Sequence, residues 1–321
     1  MIILRAEFGF FVHQDNPVTE RLNQIEGPSF YTKAVALAEK LGYHSFWATD
    51  HLTLEKNKGP IECWSTLAAV ATATNSIRLG SLVTPVIAYP PLVLAKRVSA
   101  VQVISRDRVL FGVGAGWYPD EFQAYGLRFE GHKVRMEMLE EALHLLKLVW
   151  SSEEPVTYNG KYYSVKGALL RPSAAFPPLW LGGTGDKLLN LVSRYGSGWI
   201  PFEIPPHEIV KRRNRLNSIL DQLGRDINEI KVALASRILA AKTEKEAEDV
   251  AHRLKLRRDY EAPDLPKPLR AHLIMGSYEQ CANELADYVD SGVCHLVISP
   301  QPADMTIESL SILKDEVISR V

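Results

Sequence analysis

Cysteine is scarce in this chain of 321 residues: only Cys63, Cys281 and Cys294, widely scattered and with no CxxC spacing. An odd, dispersed set excludes a disulfide framework, and without a histidine pair at ligand spacing it leaves no expected metal site. No apolar run reaches the ~18 uncharged residues that a membrane-crossing helix needs, so no membrane partner is expected. Charge of one sign is not in excess either, because 37 Lys and Arg face 38 Asp and Glu. That balance removes the field that would draw the protein onto nucleic acid or an acidic membrane. GxSxG, HExxH and paired-carboxylate motifs are missing, and hydrolytic mechanisms lose their usual footing with them. The opening MIILRAEFGFFVH is apolar but short, lacks a small-residue cleavage site and runs directly into strand-like pattern. A reducing, cytoplasmic setting is the expectation.

What is present is an ordinary globular composition, 46% hydrophobic and 23% charged, with enough length for a large core and a small molecule as the natural partner. Short apolar runs alternate with helical periodicity along the chain. Strands are expected at Glu7–Val12, His44–Ala48, Ile77–Thr84, Val109–Ala115, Pro178–Leu181, Gly198–Phe202, Ile230–Ile238 and His295–Ser299. Helices are expected at 29–42, 62–74, 90–105, 134–151, 186–196, 205–223, 243–257 and 277–291. Alternation of this kind implies parallel strands joined by right-handed crossovers, and eight such units favour closure. The expected architecture is therefore an α/β single domain over 1–321, a (β/α)8 TIM barrel. Three insertions interrupt it: 116–132 after strand 4, a hairpin at 155–177 turning on Asn159-Gly160 before strand 5, and a loop or lid excursion at 257–272 before strand 8.

In such a barrel the loops after the strands build the active site. Thr49-Asp50-His51 closes strand 2 and sets a carboxyl beside an imidazole, suited to binding a heterocycle or moving a proton, and equally readable as a loop cap with a satisfied histidine. Strand 4 ends in Phe111-Gly-Val-Gly-Ala-Gly-Trp117, whose glycines permit close backbone approach to a ligand or simply tight packing. It is not the dinucleotide fingerprint, since Trp117 stands where GxGxxG requires glycine. Gly182-Gly183-Thr184-Gly185-Asp186 feeds a helix and would offer amides and a favourable dipole to phosphate. Among the aromatic residues near strand or helix ends, Trp117, Tyr118, Trp64, Trp199 and Phe202 are candidates for stacking on a flat ring.

Three stretches, Tyr43–Leu52, Ile77–Pro85 and Val109–Trp117, follow one another as signatures that resemble those of luciferase-like monooxygenases. The similarity continues through Arg135–Trp150, Pro178–Gly183, Arg194–Trp199 and Gly276–Gln280, covering nearly the whole chain in order. The GVGAGW form is most similar to the branch that uses the deazaflavin coenzyme F420. The resemblance implies a hydride-transferring oxidoreductase with F420 at the C-terminal mouth of the barrel. The alternatives it leaves open are an FMN-dependent monooxygenase served by a partner reductase, and a flavin-binding protein without catalysis. It also implies a homodimer.

Carried onto this sequence, the resemblance makes Asp50 and His51 the catalytic pair, with Asp50 also beside the cofactor ring. It assigns Ser81, Leu82, Thr84, Gly114, Ala115, Gly116, Gly182, Gly183 and Thr184 to cofactor binding. A non-proline cis peptide is expected at Ser81-Leu82. The substrate would meet His13, Trp117, Tyr118 and Phe202, a mostly apolar lining. Where sugar-phosphate dehydrogenases of the family carry a glutamate after GxGxG this chain has Trp117, which argues against glucose 6-phosphate as substrate.

Overall fold

The structure is a computed structural model that describes residues 6–12, 28–54, 61–261, 270–302 and 306–321. Eight strands form the barrel: β1 (Glu7–Phe11), β2 (Ser45–Ala48), β3 (Arg78–Ser81), β4 (Val109–Gly114), β5 (Leu179–Gly182), β6 (Gly198–Ile200), β7 (Lys231–Ala241) and β8 (His295–Pro300). Each pairs in parallel with the next, and β8 returns to β1 through Glu7 opposite His295, so the sheet closes on itself. Closure leaves the barrel no free edge. Helices α1 (Pro28–Lys40), α2 (Cys63–Ala73), α3 (Pro91–Ser105), α4 (His132–Trp150), α5 (Asp186–Tyr195), α6 (Pro206–Gln222), α7 (Glu244–Leu254) and α8 (Tyr278–Asp290) occupy the crossovers, and α9 (Thr306–Glu316) follows β8.

Parallel strands covered on both faces carry nearly continuous apolar sequence, and here the two faces sort by parity. Phe10, Phe46, Val109, Phe111, Leu179, Leu181, Trp199, Leu234 and Ile298 join the layer between barrel and helices. Phe11, Trp47, Leu110, Trp180, Ile200, Ala233, Ala235 and Val297 fill the interior. Trp47 and Trp180 meet edge to face with ring centroids 5.8 Å apart. Space for the two indoles comes from glycine on neighbouring strands: a Cβ on Gly80 would lie 2.2 Å from the Trp47 ring, and one on Gly198 2.3 Å from that of Trp180. Below them Trp47 Nε1 donates to Ser45 Oγ, and the same hydroxyl reaches His295 Nε2, both at 2.8 Å. Burial pushes His295 well below the usual imidazole range, so this imidazole is neutral.

Several elements depart from the sequence reading. Strand β3 stops at Ser81; the non-proline cis bond lies at Leu82-Val83, one residue later than expected, and Thr84-Pro85 pairs separately with Val113 and Gly114. Strand β7 runs to Ala241 and receives an additional parallel strand, Ile274–Ser277, on its far end. The excursion at 116–132 contains a short helix, Pro119–Ala124. The expected antiparallel hairpin is present, Val156–Asn159 with Ser164–Ala168 before β5. Part of the 257–272 excursion, residues 262–269, lies outside the described residues, and its flanks pair as Asp259–Tyr260 with Ala271–His272. Among the described residues no helix is long and apolar enough to cross a membrane.

Candidate functional site

Beyond β2, Asp50 is 3% exposed and accepts a hydrogen bond from Tyr89 Oη at 3.0 Å. Its second oxygen, Oδ2, has no hydrogen-bond partner, nor do the buried hydroxyls of Thr49 and Thr84. Burial pushes the Asp50 carboxyl up to about 6; the Thr84 and Tyr89 hydroxyls and His51 pull against that rise, Thr84 from beyond hydrogen-bond geometry. The Tyr89 phenol is itself pushed up by burial and by Asp50, so it stays protonated and donates. Buried polar atoms normally find partners, and these three leave hydrogen-bonding capacity that a polar ligand could meet.

His51 follows directly. Its Nδ1 lies 3.1 Å from Glu121 Oε2, which also accepts the backbone amide of Leu52 at 3.0 Å. Glu121 is 1% exposed and comes from the short helix after β4. A carboxylate only accepts, so the Nδ1 position carries the ring proton and Nε2 is the nitrogen open to exchange. Trp117 crosses the imidazole edge to face with centroids 5.7 Å apart, and Tyr118 leans on Trp117 at 5.3 Å. Nothing in the sequence pattern separated Glu121 from the other acidic residues of a polar excursion.

The glycines of β4 and β5 have a different primary duty from ligand approach. A Cβ on Gly114 would stand 2.9 Å from a Val83 methyl, one on Gly182 equally close to both Val83 methyls, and one on Gly112 1.8 Å from the Ser81 carbonyl. Three glycines thus form the socket that receives the bulge after β3 and hold Leu82 and Val83 against the interior cluster. Ser81 is spent within this packing: its Oγ donates to the Gly112 carbonyl at 2.8 Å and accepts the Gly112 amide at 3.0 Å. Gly116, with φ +72°, turns the chain from Ala115 toward Trp117.

On the β5 side, Gly183 adopts φ 128° and its carbonyl accepts Trp199 Nε1 at 2.7 Å. Thr184 is buried, and Arg212 of α6 donates to its carbonyl, fixing the loop that leads into α5. Trp199 is buried in the outer layer, as is Trp64, which packs on Phe111, so neither offers an open ring face. Phe202, after β6, meets Phe11 edge to face at 6.1 Å. His13 lies outside the described residues. Glu203 and Arg237, which the sequence did not single out, form a buried ion pair with Nε to Oε1 at 2.7 Å.

The sequence profile of the luciferase-like monooxygenase family matches residues 6–295. An F420-dependent hydroxymycolic acid dehydrogenase of Mycobacterium tuberculosis is 34% identical over 167 residues, 51% of this chain and 46% of that protein. The match thus spans about half of that relative's length. An F420-dependent glucose-6-phosphate dehydrogenase of Microbacterium testaceum is 27% identical over 92% of this chain and 94% of its own length. Among solved structures, an F420-dependent secondary alcohol dehydrogenase in complex with an F420-acetone adduct superposes with a TM-score of 0.80 at 19% identity, covering 99% of both chains. At that identity the likeness concerns the fold.

Proposed function

The chain belongs to the luciferase-like monooxygenase family, and from that premise we propose that it is an oxidoreductase that binds coenzyme F420 and moves a hydride between it and a small organic substrate. The observation that carries the reading is the set of unmet buried atoms, Thr49 Oγ1, Asp50 Oδ2 and Thr84 Oγ1, around the mouth. A flat heterocycle with an imide N–H and ring carbonyls brings the complementary donors and acceptors. The F420 dependence named for relatives from M. tuberculosis and M. testaceum supports the same cofactor.

When bound, a deazaflavin supplies a ring carbon that takes or gives hydride. In this reading Asp50, Thr84 and Leu82 would hold the ring. Gly114, Ala115 and Gly116 would contact the cofactor as well, and Gly182, Gly183 and Thr184, leading into α5, would offer amides to its phosphorylated tail. Trp117, Tyr118 and Phe202 would face the substrate and exclude water.

His51 is the proton-handling group. In dehydrogenation a carbinol carbon gives up its hydride and the hydroxyl proton passes to His51 Nε2, leaving a carbonyl; reduction runs the same transfers backwards. Glu121 holds the imidazole in the tautomer and orientation this needs. The test is isotopic: protein, oxidised F420 and secondary alcohols deuterated at the carbinol carbon, with mass spectrometry of the reduced cofactor. Deuterium on the deazaflavin ring supports direct transfer, and reduction without label overturns it.

A further inference from the structure

On the side of the mouth away from Asp50, the described side chains include one inward cation among polar and apolar neighbours, and that cation is compensated. Strand β7 turns Ala233 and Ala235 into the interior, and the alternation brings Arg237 to the same face one step higher, opposite Ser299 of β8. An inward arginine at a barrel mouth is the natural anchor for a phosphate or carboxylate. Here Glu203 occupies it. Arg237 Nε reaches Glu203 Oε1 at 2.7 Å and Nη2 reaches Oε2 at 3.1 Å, the two-pronged geometry an anionic substrate would otherwise claim.

Glu203 is fully buried and saturated. Oε1 also accepts the Arg237 amide at 3.0 Å, and Oε2 also accepts the Tyr260 hydroxyl, which in turn accepts from Arg237 Nη2 at 2.8 Å. The carboxylate is carried there by a backbone at φ +45°, pinned by its amide to the Ala235 carbonyl at 2.8 Å and by the His272 amide donating to its own carbonyl at 2.6 Å. An anion could take the guanidinium only by stripping a buried carboxylate of its cation, the costly way to break a buried ion pair. Beside the pair, Phe202 meets Phe11 edge to face.

We infer that Glu203 is a specificity determinant that neutralises Arg237, so that the substrate of this mouth is an uncharged organic molecule with an apolar body and phosphate esters are refused. This rests on the mouth being the substrate site proposed above. Its test needs neither cofactor nor turnover, so the two readings fail separately.

The probe is inorganic phosphate, titrated calorimetrically into wild type, Arg237→Gln, Glu203→Gln and the double variant. In wild type, the expected result is no phosphate binding that depends on Arg237; binding that Arg237→Gln leaves unchanged lies elsewhere and agrees with this. Glu203→Gln keeps the shape and removes the charge, and is expected to bind phosphate roughly tenfold or more tightly than wild type, with the gain gone in the double variant. Wild-type binding abolished by Arg237→Gln overturns the inference, as does a folded Glu203→Gln protein that gains nothing. Should Glu203→Gln not fold, the wild-type and Arg237→Gln pair decides alone.

Discussion

His51 Nδ1 and Glu121 Oε2 stand 3.1 Å apart although 70 residues separate them in the chain. The contact joins the loop after β2 to the short helix after β4 and leaves one imidazole nitrogen for chemistry. If His51 handles the proton, His51→Ala lowers kcat by ~10²–10⁴ with cofactor affinity nearly unchanged. Glu121→Gln is expected to lower kcat less, and the double variant to fall no further than His51→Ala, because the two act as a unit. Steady-state kinetics with F420 titrated separately measures both quantities, and full activity in Glu121→Gln contradicts the pairing.

Asp50 trades stability for a binding group. Burial raises its folded-state pKa from 3.8 to about 6, so the folded protein holds this proton more tightly than the unfolded chain. The stabilising contribution is complete below 3.8 and lost as pH rises through 6, leaving the ionised group at neutral pH costing about 3 kcal/mol. Asp50→Asn is therefore expected to be the more stable protein in urea at neutral pH, with the advantage vanishing near pH 4. The same substitution weakens F420 binding. An equal stability difference at both pH values contradicts the assignment.

The Val83 socket predicts a compensating pair. Gly114→Ala places a methyl 2.9 Å from Val83 Cγ2, and the overpacking should cost about 1–3 kcal/mol. Val83→Ala in the same chain removes the obstacle and is expected to restore part of the loss, a non-additivity that a double-mutant cycle in urea reads directly. Strict additivity means the two residues do not meet.

Within the barrel, Trp47 is fully buried, packed on Trp180, and donates to Ser45. Trp47→Ala empties the centre of the interior cluster and is expected to lower stability by about 3–5 kcal/mol, measured by chemical denaturation. A loss below 1 kcal/mol contradicts the account of the interior.

How legible this was in the sequence follows from the range of each signal. The strand order could be read because parallel strands buried on both faces are short unbroken apolar runs, as in Val109–Gly114, all six buried. The strand Ile274–Ser277 was hidden because four residues abutting a helix carry no pattern of their own, and α9 went unremarked after the last expected strand. Asp50 and His51 were visible as polar residues at a strand end. Glu121 was not, since only the folded chain brings it to His51. Glu203 and Arg237, 34 residues apart, were invisible for the same reason. The cis bond lies one residue later than the family resemblance implied, since the resemblance locates the stretch but not which of two successive peptide bonds is inverted.

The most direct test of the central proposal, that the mouth is a deazaflavin site, is a fluorescence titration of the purified protein with F420 and with FMN, each oxidised and reduced. The account expects F420 to bind with a micromolar or lower dissociation constant, and FMN at least an order of magnitude more weakly. Tighter binding of FMN than of F420 would contradict it and point to flavin monooxygenase chemistry at the same mouth.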